Sequence, residues 1–256
     1  MSPDGAPRAA IVAWCDETLD AAHFADYGPN GLQVIGAERV ERIAGAVSVS
    51  LDVIERAAEE GAQMLIVHHG LFWQGADPRI DTLERRRLET LFRHDISLVA
   101  YHLPLDAHPT LGNNARLADL LGLESTTPFA EHRGRPIGQA GSLAAPRDVE
   151  ELAAQLGQHL HARPLVFRGG DGPAQRIGIV SGGGARDIRA AHAAGLDTHI
   201  TGEPTEDAPY LAAELGVHLI AAGHYATETV GVRALVEAIG EHFDLPTVFL
   251  DVENPV

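Results

Sequence analysis

Histidines, in two cases followed by a carboxylate four residues later, occur at three points along the chain, each directly after a short apolar segment. These points are the pair His68-His69, the segment from His102 to Asp106 and the segment from His224 to Glu228. Imidazole combined with carboxylate is a donor set that suits zinc, iron, manganese or cobalt. In open α/β sheets, ligands bind beyond the carboxyl ends of the strands, where side chains from several loops converge. The pattern therefore predicts a metal site at the ends of three strands.

The number and type of these residues favour two ions over one. Adjacent histidines at a strand end can diverge, so His68 and His69 could each bind a different ion. Carboxylates can bridge two cations, which single histidine nitrogens cannot, and Asp106 and Glu228 are the natural bridging candidates. Two cations roughly 3.5–4 Å apart can activate a bridging water and hold both the attacking and the leaving oxygen. The residues thus indicate hydrolysis at a pair of divalent metal ions.

Strand and helix patterns alternate along the whole chain. The predicted helices cover residues 8–22, 51–60, 82–94, 114–121, 149–160, 185–194, 205–215 and 227–242, with Ser50 capping the second. The predicted strands cover residues 42–49, 63–67, 96–101, 138–143, 176–180, 198–201, 217–221 and 247–250, and loops are expected at 27–31 and 126–136. Helices between short apolar strands imply a largely parallel sheet that is covered on both faces.

Part of this pattern occurs twice, which predicts two related halves. The series Arg42-Ile43, Ile54, Gly61 and Ile66 recurs as Arg176-Ile177, Ile188, Gly195 and Ile200, at an offset of 134 positions. Residues 98–100 recur as residues 219–221, at an offset of 121. Chance similarity between two strand–helix–strand units is the alternative. The predicted fold class is α/β, with two related α/β/α halves, largely parallel or mixed sheets, and the metal site in the cleft between them.

The composition disfavours several classes of function. The formal net charge of −17 argues against the nucleic-acid backbone as the main partner. No apolar run approaches the ~20 residues that a membrane-spanning helix needs. The first residues, Met1 to Gly5, lack the basic start and apolar stretch of a secretory signal, so a cytoplasmic protein is expected. Cys15 is the only cysteine, which excludes an intrachain disulfide and a thiolate metal cluster.

Six segments resemble, in order, the pattern of the Nif-three-like dinuclear-metal proteins, a family often labelled GTP cyclohydrolase type-two homologues. The segments are Asn30-Gly31-Leu32-Gln33-Val34, Val67-His68-His69-Gly70, His102-Leu103-Pro104-Leu105-Asp106, Gly112-Asn113-Asn114, Thr201-Gly202-Glu203 and Gly223-His224-Tyr225-Ala226-Thr227-Glu228. The resemblance spans nearly the whole chain. It implies two divalent ions per subunit, either zinc, iron or manganese. The implied ligands are His68, His69, Asp106, His224 and Glu228.

The same resemblance implies a two-domain organisation and a toroidal homohexamer. Because the first domain of the family is completed by the C-terminal segment, the expected domains are residues 1–127 with 224–256, and residues 128–223. Longer members insert an extra domain between the halves, and this chain is too short to carry it. The resemblance therefore predicts a compact subunit that functions as part of a ring.

Two residues beside the implied ligands are candidates for supporting roles. His102 could orient a ligand or donate a proton, although a histidine that caps its strand is the alternative. Glu203 occupies the position that the repeat assigns to His69, so it could face the metals or serve as an acid near a helix start. The loop from Ser181 to Gly184 could cradle a phosphate or form a simple tight turn.

These residues predict a metal-dependent hydrolase that acts on a small nucleotide or other phosphorylated substrate. The alternative is a non-catalytic metalloprotein, a regulatory or metal-delivery hexamer. An open coordination position and polar pocket groups would favour catalysis, and saturated ions would favour the alternative. The sequence does not name the substrate, because the family label is not itself an activity.

Overall fold

The structure is a computed structural model that describes residues 5–252 and 254–256. Of the segment from Met1 to Gly5, in which no signal pattern was expected, all but Gly5 lies outside the described residues. Within the described part of the chain, no helix is both long and apolar enough to cross a membrane.

Strands and helices alternate along the chain. The strands are β1 (Ala6–Pro7), β2 (Gly31–Val34), β3 (Arg39–Val40), β4 (Ile43–Ser48), β5 (Met64–His69), β6 (Ser97–Ala100), β7 (Glu124–His132), β8 (Arg135–Arg147), β9 (Leu165–Phe167), β10 (Ala174–Val180), β11 (Thr198–Thr201), β12 (His218–Ala221) and β13 (Thr247–Phe249). The helices are α1 (Arg8–Thr18), α2 (Leu51–Glu59), α3 (Thr82–Arg93), α4 (Leu103–Ala107), α5 (Asn113–Leu121), α6 (Val149–Leu160), α7 (Ile188–Ala193), α8 (Ala208–Leu215) and α9 (His224–Phe243), with 3₁₀ turns at Ala21–His23 and Ala185–Asp187. This is the α/β pattern that the sequence predicts.

The chain divides into two compact units. Unit 1 comprises Met1–Leu105 and Val232–Glu253, and unit 2 comprises Asp106–Gly231 and Asn254–Val256. These limits differ from the expected domain ranges because α5 packs against β8, α6 and β10, all of which belong to unit 2. The second limit falls inside α9, whose first two turns belong to unit 2.

Unit 1 is built on a five-stranded sheet with the order β13-β4-β5-β6-β2. Only the edge strand β2 is antiparallel to its neighbour. The interior strands β4 and β5 are nearly continuous apolar runs because both faces of a parallel sheet are covered. Helix α2 begins as predicted, since the Ser50 side chain accepts a hydrogen bond from the backbone N–H of Val53 at 3.2 Å. Its residues Val53, Ile54 and Ala57 then join the core of the sheet.

Unit 2 is built on a six-stranded mixed sheet with the order β7-β8-β10-β11-β12-β9. The three strands β10, β11 and β12 are parallel, and β7, β8 and β9 pair antiparallel with their neighbours. Fully buried Ile177, Ile179, Ile200 and Ile220 belong to the core of this unit. Full burial of one such side chain stabilises the fold by roughly 1.5–3 kcal/mol. The prediction of largely parallel or mixed sheets is confirmed.

The prediction of a loop over residues 126–136 is wrong, because this region forms the hairpin of β7 and β8. His132 and Arg135 are partners across the turn, and the two residues between them, Arg133 and Gly134, have φ of 50° and 87°. Two consecutive residues with positive φ make the turn that matches the twist of antiparallel strands. The sequence signal was an arginine followed by glycine, which is weaker than the usual asparagine-glycine.

Both units repeat the same hydrogen-bonded frame. The Gln63 side-chain oxygen accepts from the backbone N–H groups of residues 41 and 42, at 2.9 and 3.0 Å. At the positions displaced by 134, the Asp197 carboxylate accepts from the N–H groups of residues 175 and 176, both at 2.9 Å. Gly61 and Gly195, also displaced by 134, end the helical segments with φ of 68° and 70°. The structural repeat therefore extends to the turns and side-chain caps.

Candidate metal centre

Three imidazoles of unit 1 lie together where two neighbouring parallel strands end. His68 and His69 are the last residues of β5 rather than the residues after it, and His102 follows β6 by two positions. One potential ligand atom from each of the three lies within 4.8 Å of the others. The ring centroids are 4.7 Å apart for His68–His69, 4.9 Å for His68–His102 and 5.6 Å for His69–His102. These three side chains could therefore hold a metal ion.

Each of these imidazoles has its Nδ1 atom engaged by a neighbour. The Nδ1–H of His68 donates to the Tyr101 carbonyl oxygen at 2.9 Å, and a carbonyl can only accept. In a neutral ring, this bond places the lone pair of His68 on Nε2. The Nδ1 atom of His69 lies 2.9 Å from the Ser48 hydroxyl, and that of His102 lies 2.7 Å from an Asp26 carboxylate oxygen. Bonds at Nδ1 fix the ring orientations that metal-binding histidines need.

Asp26 is a site residue that the sequence reading missed. Its side chain is 2% exposed, and besides His102 it accepts from the Asn30 amide and from the backbone N–H of Leu103, both at 2.9 Å. Burial raises the pKa of Asp26, but the hydrogen bond and charge of His102, with further donors, outweigh burial and lower it. The only signal was a turn-rich loop, because its partner lies 76 positions further along the chain.

The side chains of Trp73 and Gln33 also lie near the three imidazoles of unit 1. The Trp73 ring lies 5.2 Å from His102 and 5.9 Å from His69. The Gln33 side chain accepts from the backbone N–H of Leu71 at 2.8 Å and donates to the Pro29 carbonyl at 2.9 Å. Gln33 therefore holds two loops together beside the imidazoles.

The metal candidate Asp106 lies in unit 2 within a buried polar network. Its Oδ1 atom accepts from the Asn113 amide at 2.8 Å and from the Ser181 hydroxyl at 3.2 Å. The Asn113 side-chain oxygen in turn accepts from the backbone N–H of Gly231, in α9, at 2.9 Å. Asn113 thus links Asp106 to the helix that begins with His224.

His224 and Glu228 lie one turn apart because α9 begins at His224, three residues earlier than predicted. The Nε2 atom of His224 is 3.2 Å from Glu228 Oε1, and its Nδ1 atom is 3.3 Å from Glu203 Oε1. Burial lowers the pKa of His224, but the hydrogen bonds and charges of Glu228 and Glu203 outweigh burial and raise it to about 9. A bound cation would therefore replace a proton held between two carboxylates.

The loop from Ser181 to Gly184 packs against this acidic pair. Gly182 has φ of 59°, and its backbone N–H donates to the Thr227 hydroxyl at 3.1 Å. A Cβ atom at Gly182 would lie 2.2 Å from Glu228 Oε1, so only glycine fits there. A carboxylate this close repels phosphate, and the helical segment that follows starts with a 3₁₀ turn. These contacts favour the tight turn over a phosphate cradle.

Each unit contains several of the predicted site residues in close contact. His68, His69 and His102 come together in unit 1. In unit 2, Glu203, His224 and Glu228 are in direct contact, and Asp106 is joined to α9 through Asn113. Both groups contain side chains that could hold a metal ion, and three imidazoles or an imidazole with carboxylates suit transition metals.

Comparison with known proteins gives a consistent result along the whole chain. The profile of the Duf34/NIF3 (NGG1p interacting factor 3) family matches residues 7–255. A protein of Pseudomonas aeruginosa named GTP cyclohydrolase 1 type 2 homolog is 43% identical, covering 96% of this chain and 97% of its own length. A protein of Escherichia coli strain K12 with the same name is 45% identical, covering 94% of this chain and 96% of its own.

Solved structures agree. The structure described as protein ybgI, of unknown function, superposes with a TM-score of 0.93 at 42% identity, covering 98% of this chain and 100% of the other. TTHA1606 from Thermus thermophilus has a TM-score of 0.90 at 38% identity, with 98% and 100% coverage. Reduced HcgD from Methanocaldococcus jannaschii has a TM-score of 0.85 at 25% identity, with 96% and 98% coverage.

Proposed function

Because the chain belongs to the Duf34/NIF3 family, we propose that it is a dinuclear divalent-metal-dependent hydrolase. The proposed substrate is a small nucleotide or other phosphorylated molecule, as the name GTP cyclohydrolase 1 type 2 homolog of its relatives suggests. The proposed ligands are His68, His69, Asp106, His224 and Glu228, and the ions are zinc, iron or manganese. The observation that carries the proposal is that three histidines lie together at strand ends in unit 1, and that a histidine contacts two carboxylates at the start of a helix in unit 2.

The chemistry of the donors fits such ions. The rings of His68 and His69 are held by hydrogen bonds at Nδ1, which fixes their orientation as metal-binding histidines require. Asp106 and Glu228 are almost fully buried, and buried carboxylates usually pair with a cation or bind a metal. In the protein without metal, the raised pKa of His224 makes it an imidazolium that pairs with Glu228 and Glu203. A divalent ion would neutralise Glu228 more completely than a single imidazolium does.

Two bound ions would supply a water of lowered pKa and an electrophile for the scissile bond. The side chains of the protein supply the fixed orientation. Asn113 and Ser181 hold one oxygen of Asp106, which stops rotation of the carboxylate. Glu203 contacts His224 at Nδ1, where it fixes the ring and is placed to accept a proton.

The proposal also includes an oligomeric state and an alternative role. The resemblance favours a homohexamer, and closed symmetry is the usual arrangement for identical subunits. A non-catalytic role in metal regulation or delivery is the second candidate. The grouping of histidines and carboxylates supports this role equally, because side chains that bind a metal ion need not catalyse a reaction.

The deciding experiment combines metal analysis with a substrate panel. Purified protein would be reconstituted with manganese, iron or zinc and analysed for metal content. It would then be assayed against GTP, other nucleoside phosphates and simple phosphate esters. We expect two ions per subunit and turnover that disappears after chelation and returns with metal. Two ions without turnover on any member of the panel would favour the non-catalytic role. Fewer than one ion per subunit would remove the basis of both.

A further inference from the structure

We propose that unit 1 binds the base of a nucleotide by stacking it on an aromatic platform formed by the side chains of Tyr27, Phe72 and Trp73. This inference rests on the proposed function and deepens it, because it assigns the part of the substrate that metal ions do not hold. It commits to a nucleotide as the substrate rather than to a simple phosphate ester.

The aromatic platform is open to solvent and adjoins the imidazoles of unit 1. Tyr27 is 40% exposed and Phe72 is 46% exposed, while Trp73 is partly buried. The ring of Trp73 lies 5.2 Å from that of His102 and 5.9 Å from that of His69, and the ring of Tyr27 lies 6.1 Å from that of His102. A molecule that reached the imidazoles would therefore also meet aromatic rings.

The two loops that carry these rings are joined by hydrogen bonds. The backbone N–H of Gln74 donates to the Tyr27 carbonyl at 2.6 Å. The Gln33 side chain accepts from the backbone N–H of Leu71 at 2.8 Å and donates to the Pro29 carbonyl at 2.9 Å. Binding to groups that are fixed in advance costs less conformational entropy than binding to mobile loops. The platform is therefore prepared for a ligand.

Close packing at two glycines holds the exposed rings in place. A Cβ atom at Gly28 would lie 2.4 Å from the Phe72 carbonyl oxygen and 3.5 Å from the Trp73 ring. A Cβ atom at Gly70 would lie 2.3 Å from Gln33 Oε1, and the Gly70 carbonyl accepts from the Trp73 indole N–H at 3.1 Å. Only glycine lets the two loops approach this closely, so their packing imposes the position of the rings.

The amide side chains of Asn30 and Gln33 are already used within the protein. Asn30 accepts from the backbone N–H of His102 and donates to the Asp26 carboxylate, both at 2.9 Å. Gln33 is likewise bonded at both its oxygen and its nitrogen. These amides hold the loops rather than the edge of a base. Stacking tolerates every base, because each has a π-face, so we expect guanine and adenine to bind alike.

The repeat in the sequence argues that the frame of the unit does not require these aromatic residues. The positions displaced by 134 from Phe72 and Trp73 are Glu206 and Asp207. Unit 2 forms the same three parallel strands with acidic side chains at these positions. Carboxylates repel a phosphorylated molecule, so only unit 1 has a surface suited to a nucleotide base at these positions.

Tryptophan fluorescence tests the proposal, because Trp73 is one of two tryptophans in the chain. In the full-length Trp14→Phe protein, Trp73 is the only tryptophan and reports on the platform. Zinc-reconstituted protein would be mixed with GMP, AMP or ribose 5-phosphate in a stopped-flow instrument and measured before turnover. We expect GMP and AMP to quench the fluorescence with similar dissociation constants.

Ribose 5-phosphate is the matched control ligand, because it carries the sugar and the phosphate without a base. In competition with GMP, it should bind about 5–100-fold more weakly, which is the usual effect of losing one stacked base. Calorimetry on the unsubstituted protein gives the same comparison without any variant. Equal affinities for GMP and ribose 5-phosphate, or no binding of GMP, would overturn the proposal.

Variants of Phe72 distinguish stacking from general apolar contact. Phe72→Ala should weaken GMP binding about 5–100-fold and leave the affinity for ribose 5-phosphate unchanged. Phe72→Leu keeps the apolar bulk without the flat ring and should bind GMP nearly as weakly, whereas Phe72→Tyr should bind like the wild type. Phe92→Ala, at a phenylalanine of α3 that is 59% exposed, is the matched control and should change neither affinity. Wild-type GMP affinity in Phe72→Ala would contradict the proposal.

The outcomes separate this inference from the proposed function. If the protein hydrolyses phosphate esters but binds GMP no better than ribose 5-phosphate, the inference is wrong and the proposed function stands. If GMP binds through Phe72 but no member of the substrate panel is turned over, the proposed hydrolysis is wrong and the base site stands.

A second copy of the chain is the other possible occupant of exposed aromatic rings. If Phe72→Ala changes the oligomeric mass in light scattering but not the affinity for GMP, the rings form a subunit contact and the inference is wrong. Circular dichroism of each variant must match the wild type. Should a variant fail to fold, the comparison of ligands on the unsubstituted protein remains decisive.

Discussion

The two units share a frame but differ at the ends of their strands. In both, three parallel strands are joined by helical segments, and a polar side chain caps the start of the first strand. Beyond the strands, unit 1 presents imidazoles held by Asp26, Ser48 and a backbone carbonyl. Unit 2 presents carboxylates around one imidazole, with Gly202 and Gly223 at the positions of His68 and His102. The frame therefore does not depend on the ligands.

This difference has a chemical consequence. In unit 1, the side chains grouped for a metal ion are imidazoles, each with a hydrogen-bond partner at Nδ1. In unit 2, His224 is an imidazolium between Glu203 and Glu228, and binding a metal displaces its proton. Four predictions test how far the two units differ, beginning with the largest effect.

Glu228→Gln should have the largest effect, because it removes a buried negative charge and a shared ligand from unit 2. We expect the metal content to fall from two ions to at most one per subunit, and hydrolytic activity to disappear. Elemental analysis after reconstitution measures this. Glu241→Gln changes an exposed glutamate of the same helix and should retain both ions. If Glu228→Gln retained two ions, Glu228 would not be a ligand.

Gly182→Ala should have the next largest effect, because the added Cβ would lie 2.2 Å from Glu228 Oε1. The φ of 59° adds backbone strain of roughly 1–2 kcal/mol for a residue with a side chain. We expect metal affinity to fall about 10–100-fold, as for loss of other support around a ligand.

Gly183→Ala is the matched control for this change. Its Cβ would meet only Glu203 Oε1, at 3.6 Å, and its φ is not positive. Metal affinity, measured by chelator competition, should stay at the wild-type value. Equal losses in the Gly182 and Gly183 variants would mean that the loop as a whole, rather than the contact with Glu228, controls metal binding.

Gln63→Ala and Asp197→Ala compare the shared frame directly. Each removes an acceptor for two backbone N–H groups at the start of a strand. We expect Gln63→Ala to lower the free energy of unfolding by about 1 kcal/mol, and Asp197→Ala by about 2 kcal/mol because its acceptor is charged. Urea unfolding measures both. A loss confined to one variant would show that the repeated caps are not equivalent.

The smallest predicted effect concerns an ion pair of unit 2. The Asp187 carboxylate lies 3.0 Å from His132 Nε2, and this hydrogen bond outweighs burial and raises the pKa of His132. The pair therefore adds stability below the unfolded pKa of ~6.5 and loses it as pH rises through the folded value. His132→Gln should lower the free energy of unfolding by up to about 1 kcal/mol at pH 5.5. The loss should be smaller at pH 8.5, where His132 is less protonated. A larger effect at the higher pH would contradict this reasoning.

The sequence was informative wherever the signal is local. Ser50 begins its helix as a cap, and helix 149–160 has the predicted bounds. The offset of 134 anticipated the matching glycines of the two units, and the strand caps found in the structure follow the same offset. The resemblance named five candidate ligands, which remain a prediction until metal is measured. In these cases the physical cause lies within a few residues or in a repeated pattern, so one sequence displays it.

Only the tertiary structure decided the surroundings of those residues. It joined Asp26 to His102 across 76 positions and set Gly182 against Glu228. It also turned the expected loop at 126–136 into a hairpin, whose strands are stabilised by pairing with the rest of the sheet. Each depends on hydrogen bonds or close packing between residues distant in sequence. No local pattern records such partners, since folding alone brings them together.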